Sequence, residues 1–300
     1  MNLFHRGLEA IEAAAQQLAD LDGRFLLPAL ILQLAGLGLR AMVWRNVVAA
    51  AYPDRRVPVT SVAGSFLAGV ALNAFLPAKG GELAKLALIR SRIHGSTFST
   101  LAATLGVVML LDSLLGGALL AALVAFGVAP VALPSVGIAP VIAAFGLVAV
   151  AVVAFKLRPR RARSLFAHLA QGAAILRTPH RYLHSVLPLQ LAAWACRIGV
   201  AFLVLSAFGI EASLATAALV VVFNSLSTVV PVPGGVGTQQ VLTAYALRGV
   251  VPLAGAVSFS VGMQVGITVV NTLVGLTALM LMLRTLSPRA AVRFHSAANR

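Results

Sequence analysis

Apolar residues run through this chain in long blocks, and polar residues gather in the short gaps between them. A helix crossing the hydrocarbon of a bilayer needs about 20 apolar residues. Blocks of that order occupy about 25–44, 58–76, 97–126, 138–156, 185–209, 212–230 and 253–284, and each is predicted to be a spanning helix. Two shorter helical pieces, about 80–94 and 234–248, follow the second and sixth blocks. At about 1.5 Å per residue each is roughly 21 Å long, which is short for a simple crossing. A re-entrant half-helix or a surface helix fits such a piece. The first is introduced by LPAKGGELAKLALIRSRIHG, residues 76–95, which sets a proline, a glycine pair and five charged residues between apolar runs.

Composition agrees with the pattern. Of 300 residues, 60% are hydrophobic and 10% charged, and mean hydropathy is +0.96. A soluble fold of this size does not manage with so little polar surface. The predicted class is all-α: a polytopic membrane protein of about seven transmembrane helices plus two re-entrant half-helices. Residues 1–24 read as an N-terminal amphipathic helix, 25–284 as the transmembrane domain and 285–300 as a basic tail. Glu9, Glu12, Asp20 and Asp22 make the N-terminus unlike a cleavable signal peptide. The lone cysteine, Cys196, excludes an intrachain disulfide.

The net charge of +15 does not point to nucleic acid, because the positive residues sit in short stretches beside apolar blocks. It points to anionic lipid and to orientation by positive loops. Residues 156–184 carry Lys156, Arg158, Arg160, Arg161, Arg163, Arg177 and Arg181 with no acid, and are expected in the cytoplasm. The tail with Arg284, Arg289, Arg293 and Arg300 is expected there too, as are Arg55 and Arg56. The uncharged loop at 127–137 fits the outside. The expected location is a bacterial inner membrane, with the C-terminus cytoplasmic. These assignments agree only if both short helices return the chain to the side it came from.

The two short helices belong to an internal repeat. Pro77, Gly80, Gly81 and Gly95 match Pro231, Gly234, Gly235 and Gly249, all at one offset, 154. The matched residues are helix breakers, which decide backbone shape. The span before the first motif starts inside and the span before the second starts outside, so the units are expected to be inverted copies. Inverted repeats with interrupted helices near the midplane are a transporter architecture, and substrate binds at the interruptions. Gly80-Gly81 and Gly234-Gly235 each open a helix, where free N–H groups and the positive dipole end suit an anion.

On the first short helix Glu82 and Lys85 are three apart and can pair, with Arg92 on the same side and Lys79 in the breaker loop. One reading is an interfacial helix with snorkelling basic residues. The other is a polar face on which Lys79, Lys85 and Arg92 meet an anionic headgroup while Glu82 meets a cation or Lys85. Asp112, in the third span, needs a cavity or a basic partner. Arg197, Lys85 and Arg40 are candidates. The second motif carries Gln239, Gln240 and Thr243 as a neutral stripe. Asn73 and Asn224 precede the breakers, and Gln264 and Asn271 lie in the last span. Each alone fits an interhelical hydrogen bond. His180 and His184 are spaced i, i+4, but no third ligand is near, so no metal site is expected. No nucleophile elbow, P-loop, HExxH or paired-carboxylate motif appears, and no cofactor is expected.

The runs LRAMVWRNVV, ALNAFLPAKGGELAKLALIRSR, VVMLLDSLLG and STVVPVPGGVGTQQVLTAYAL resemble the lysylphosphatidylglycerol synthase transmembrane-region family, also called flippase-like, over roughly 25–284. The resemblance implies a membrane domain that moves lipids between leaflets. Carried over by position, it marks Asn73, Pro77, Gly80, Gly81, Glu82 and Lys85, then Pro231, Pro233, Gly234, Gly235 and Gly237, with Asp112 at an acidic position. The family often has arginine after that acid, where Ser113 stands here, and a glutamate after the second glycines, where Gln239 and Gln240 stand. A large soluble aminoacyl-transferase domain is not seen, so lysyl-lipid synthesis is not expected. The expected activity is transport of an anionic phospholipid, an aminoacylated lipid or a polyprenyl-phosphate-linked lipid by alternating access at a midplane cavity. The expected partners are membrane lipids and a separate lipid-modifying enzyme. The competing classes are a membrane enzyme or subunit of lipid modification, and a non-transporting scaffold.

Overall fold

The structure, a computed structural model, describes residues 22–76, 80–128, 162–211, 213–227 and 238–284. Among the described residues all regular structure is helical: α1 (Gly23–Ala51), α2 (Val59–Phe75), α3 (Gly80–Arg90), α4 (Phe98–Ala125), α5 (Ala162–Gly172), α6 (Pro179–Ser185), α7 (Leu187–Ala207), α8 (Leu214–Ser227), α9 (Thr238–Ala246) and α10 (Leu253–Arg284), with a 3-10 turn at Ala174–Arg177. The protein is a polytopic helical membrane protein. Four stretches, Gly23–Ala51, Phe98–Ala125, Pro179–Ala207 and Leu253–Leu283, are long and apolar enough to cross a membrane.

One other expected span comes out slightly shorter. Helix α2 has 17 residues and so rises about 26 Å, just under a hydrocarbon core of about 30 Å. The span expected at 212–230 is described over Leu214–Ser227, as α8. The span expected at 138–156, the amphipathic N-terminal helix and the basic tail lie outside the described residues. Helix α1 overruns its expected end at 44 because its polar residues find partners inside the protein. Arg45 Nε donates to the Val57 carbonyl at 3.3 Å and Asn46 Nδ2 to the Ser185 carbonyl at 2.6 Å. The span expected at 185–209 is divided at Val186. Pro188 has no N–H to give the carbonyl of His184, so the ladder is interrupted there.

The outward faces of the long helices are those of a membrane protein. Only 11% of the apolar window of α10 is buried inside the protein. Val257, Val261, Val265, Val269 and Leu273 are all exposed, and steps of four place them on one helical face. Such a stripe is stable against lipid and unfavourable against water.

The chain forms two compact units, and each holds one copy of the repeat. The first comprises Leu37–Leu111, Phe155–Ala193 and Thr268–Arg300; the second comprises Met1–Gly36, Asp112–Ala154 and Trp194–Ile267. In the first, Trp44, Val48, Val62, Phe66, Leu86, Ile89 and Leu101 form one apolar core. The Trp44 indole N–H donates to Thr104 Oγ1 at 3.2 Å. Helix α3 folds back antiparallel along α2, so that Gly81 lies against Gly69 and Asn73, and Lys85 against Gly69 and Phe66. In the second unit, α8, α9 and the start of α10 enclose Leu219, Phe223, Leu247 and Phe259. The rings of Phe223 and Tyr245 meet edge to face at 5.7 Å.

Helix α3 is shorter than expected, 11 residues ending at Arg90, and α9 is described from Thr238 to Ala246. Each is followed by a left-handed glycine, Gly95 at φ 70° and Gly249 at φ 83°. These are the glycines paired by the 154-residue offset, and they share a left-handed backbone conformation.

The α2–α3 contact depends on small residues. A Cβ at Gly81 would strike the Gly69 carbonyl oxygen and come to 2.5 Å of Asn73 Oδ1. Gly81→Ala should therefore destabilise by about 1–3 kcal/mol, the usual cost of overpacking. Gly106→Ala in α4, where a Cβ meets nothing within 4 Å, should leave stability unchanged or raised. Thermal unfolding of both variants in one detergent checks the pair.

Candidate functional site

The polar residues of the first unit converge at the start of α3. Glu82 and Lys85 pair within the helix, Lys85 Nζ lying 2.7 Å from Glu82 Oε1. The Lys85 side chain is only 5% exposed. Gly69 makes this burial possible, since a Cβ there would occupy the place of the lysine Cγ. The ammonium lies 4.5 Å from the centre of the Phe66 ring, and the Arg40 guanidinium carbon is 5.8 Å from the same centre. One aromatic ring thus faces two cations, and in a dry setting each contact is worth about 0.5–2 kcal/mol.

Asn73 on α2 completes the cluster. Its Nδ2 donates to Glu82 Oε1 at 3.0 Å. Oε1 therefore accepts from both Asn73 and Lys85. Glu82 Oε2 and Asn73 Oδ1 are buried and receive no donor. An unmade hydrogen bond of that kind costs about 1–3 kcal/mol. Gly80 and Gly81 stand at the head of α3 beside this cluster, whereas Pro77 and Lys79 lie outside the described residues.

Arg92 is expected on the side of Glu82 and Lys85, and the structure takes it elsewhere. Helix α3 stops at Arg90, and Arg92 NH2 donates to the Met282 carbonyl at 2.6 Å. That carbonyl is in the last turn of α10, where helix carbonyls lack intrahelical donors. Arg92 thus fastens the end of α10 to the turn after α3.

The second motif is neutral, and it is knit by hydroxyls and amides. Thr243 Oγ1 donates to Asn224 Oδ1 at 3.0 Å, and Ser260 Oγ to Thr243 Oγ1 at 3.4 Å. Gln240 Nε2 donates to Gln264 Oε1 at 3.3 Å, and Gln239 is half-buried on α9. Pro231, Pro233, Gly234, Gly235 and Gly237 lie outside the described residues.

Of the three cations that can serve Asp112, Arg197 is the one it meets. Arg197 NH2 contacts both carboxylate oxygens at 2.9 Å. The Trp194 indole N–H donates to Asp112 Oδ1 at 2.8 Å, and the guanidinium carbon stacks 4.5 Å from the Trp194 ring. Trp194 and Arg197 are i, i+3 on α7 and share a face, so the local signal for their partnership was present in the spacing. Phe66 had no such signal, because its two cations come from other helices.

Among the described residues no group of three or more His, Cys, Asp or Glu side chains is placed to hold a metal. His180 and His184 stack on α6 with ring centres 4.3 Å apart.

Fold and polar clusters together define a class: a multi-pass helical membrane protein in which short helices bring polar side chains together among apolar ones. The chain belongs to the family described as the lysylphosphatidylglycerol synthase TM region, whose model matches residues 8–275. Comparison with curated proteins and with solved structures finds no match.

Breaking the Asp112 pair should cost more than deleting it. Arg197→Leu leaves a carboxylate without its cation, whereas Asp112→Leu with Arg197→Leu removes both charges. The single variant should melt at a lower temperature than the double in the same detergent.

Proposed function

We propose that this protein moves a lipid with an anionic headgroup between the leaflets of a bacterial inner membrane. The observation that carries the reading is the Asn73–Glu82–Lys85 cluster at the head of α3 in a chain of this family. Charged groups inside a membrane are costly and usually serve a pathway or a partner. In this reading α3 and α9 are re-entrant half-helices. The headgroup follows the polar residues beside the start of α3, and the acyl chains remain in lipid. An anionic phospholipid, an aminoacylated lipid and a polyprenyl-phosphate-linked lipid share the phosphate that such a path requires. The basic segment 156–184 and the C-terminus face the cytoplasm. The protein acts as a transporter rather than an enzyme, on a lipid that a separate enzyme can supply.

Reconstitution tests this directly. Proteoliposomes containing a fluorescent anionic phospholipid should scramble or translocate it faster than protein-free vesicles. Gly81→Leu should lower the rate about tenfold or more, equivalent to a barrier increase of about 1.4 kcal/mol. Wild-type protein with no effect on translocation under any ion gradient sinks the proposal. Conversion of a labelled lipid into a new product, read by mass spectrometry, would make the protein an enzyme instead.

A further inference from the structure

The acids of the described helices are Glu82 on α3 and Asp112 on α4, and they differ in what a proton would find there. Asp112 has both oxygens engaged: Arg197 NH2 donates to each, and the Trp194 indole adds a bond to Oδ1. Glu82 gathers its bonds on Oε1, from Asn73 Nδ2 at 3.0 Å and from Lys85 Nζ at 2.7 Å. Its Oε2 is buried without a donor, and so is Asn73 Oδ1. The latter is turned towards the head of α3, because a Cβ on Gly81 would come to 2.5 Å of it.

A carboxylic acid and a primary amide pair through two hydrogen bonds in a ring. The amide N–H donates to the carbonyl oxygen of the acid, and the acid O–H donates to the carbonyl oxygen of the amide. Half of that ring is present in Asn73 Nδ2 and Glu82 Oε1. The atoms of the other half are Glu82 Oε2 and Asn73 Oδ1, the two that lack a donor. A carboxylate only accepts, so it cannot close the ring; one proton on Oε2 makes that oxygen a donor and serves both atoms at once. The charged groups facing the carboxylate are Lys85 on its own helix and Arg40 of α1, which shares the Phe66 ring and has a further partner. A proton on Oε2 weakens the attraction of Lys85 but keeps its hydrogen bond, since Oε1 of the acid still accepts. The second bond of the ring is gained in exchange.

We propose that Glu82 is a proton-binding site, at which Oε2 takes up a proton and donates it in a hydrogen bond to Asn73 Oδ1. The step is a simple uptake. The proton comes from water, an O–H bond forms on Oε2, and the side chain becomes neutral. Access is provided, since the Glu82 side chain retains 22% exposure. Uptake deprives Lys85 of its counter-charge and leaves the hydrogen bonds of the pair intact, so a proton and an anion are favoured together, each raising the affinity for the other. Within the transport reading, on which this last step rests, lipid movement is coupled to a proton gradient through Glu82.

The test is infrared difference spectroscopy of the purified full chain between alkaline and acid pH, which reads the carbonyl stretch of protonated carboxyl groups. The wild-type protein should show a band that grows as pH falls and is lost in Glu82→Gln, whose amide N–H reproduces the proton-bound pairing. Asn73→Leu should move that band to higher frequency, as for an acid with fewer hydrogen bonds. Absence of a Glu82 band at every pH at which the protein stays folded overturns the inference, because water then serves the two oxygens; a band that Asn73→Leu leaves in place overturns it too. Should Glu82→Gln fail to fold, Glu9, Glu12 and Glu211 are replaced by Gln instead, and glutamate isotope-labelled at its side-chain carboxyl then reports on Glu82 alone. In proteoliposomes an imposed pH gradient should speed translocation of a fluorescent anionic phospholipid several-fold in the wild type and leave Glu82→Gln unchanged. A Glu82 band in protein that translocates no lipid defeats the transport reading and leaves the proton site standing. Translocation without the band defeats the proton site alone, and translocation indifferent to the gradient defeats the coupling.

Discussion

The first unit depends on the backbone approach of α2 and α3 at Gly69 and Gly81. In a bilayer, apolar helices gain nothing by leaving lipid for one another, so close packing and hydrogen bonds must hold them. Ordinary helix axes lie about 8–10 Å apart, kept there by side chains. With glycine on both sides that spacer is gone, and the Gly81 backbone lies against the Gly69 carbonyl. Two helices of 17 and 11 residues, each short for its surroundings, become one packed hairpin. The same absence of a Cβ at Gly69 lets the lysine stem run along α2, so that the Lys85 ammonium reaches both Glu82 and Phe66. Packing and the placement of charge are one constraint here.

The pairs Glu82–Lys85 and Asp112–Arg197 solve the burial of charge differently. Glu82–Lys85 is local, three residues apart on one helix, and gathers both of its hydrogen bonds on a single oxygen. Asp112–Arg197 joins α4 to α7, with Trp194 both donating to the acid and stacking on the base. Their leftovers are opposite in kind. The first leaves acceptors, Glu82 Oε2 and Asn73 Oδ1, and the second leaves a donor, Arg197 Nε. A buried pair is weak evidence for stability, because desolvation offsets much of the attraction. The pattern of leftovers is the more informative quantity.

How far the residues disclosed this follows from the range of each interaction. The long spans at 97–126 and 253–284 were legible because apolar length is a property of one segment. The left-handed turns at Gly95 and Gly249 were legible because breakers act locally. Glu82–Lys85 was legible by its spacing of three. Asp112 showed that a cation must come to it, but the choice among Arg197, Lys85 and Arg40 is tertiary. Arg92 misled for a related reason: its place on an extended α3 face assumed that the helix runs past Arg90. Phe66 and Gly69 gave no signal, because each matters only through a residue on a neighbouring helix.

The two motifs differ in the chemistry of one tie. In both copies a left-handed glycine follows the short helix, and an asparagine of the preceding helix is tied to the short helix. The polarity of that tie is reversed. Asn73 donates from its amide nitrogen to Glu82, which leaves its carbonyl open. Asn224 accepts at its carbonyl from Thr243, and Ser260 in turn donates to Thr243. A hydroxyl both donates and accepts and so closes a chain of hydrogen bonds among neutral partners, whereas a carboxylate only accepts. The second tie thus closes among neutral partners, whereas the first leaves two acceptor oxygens without a donor.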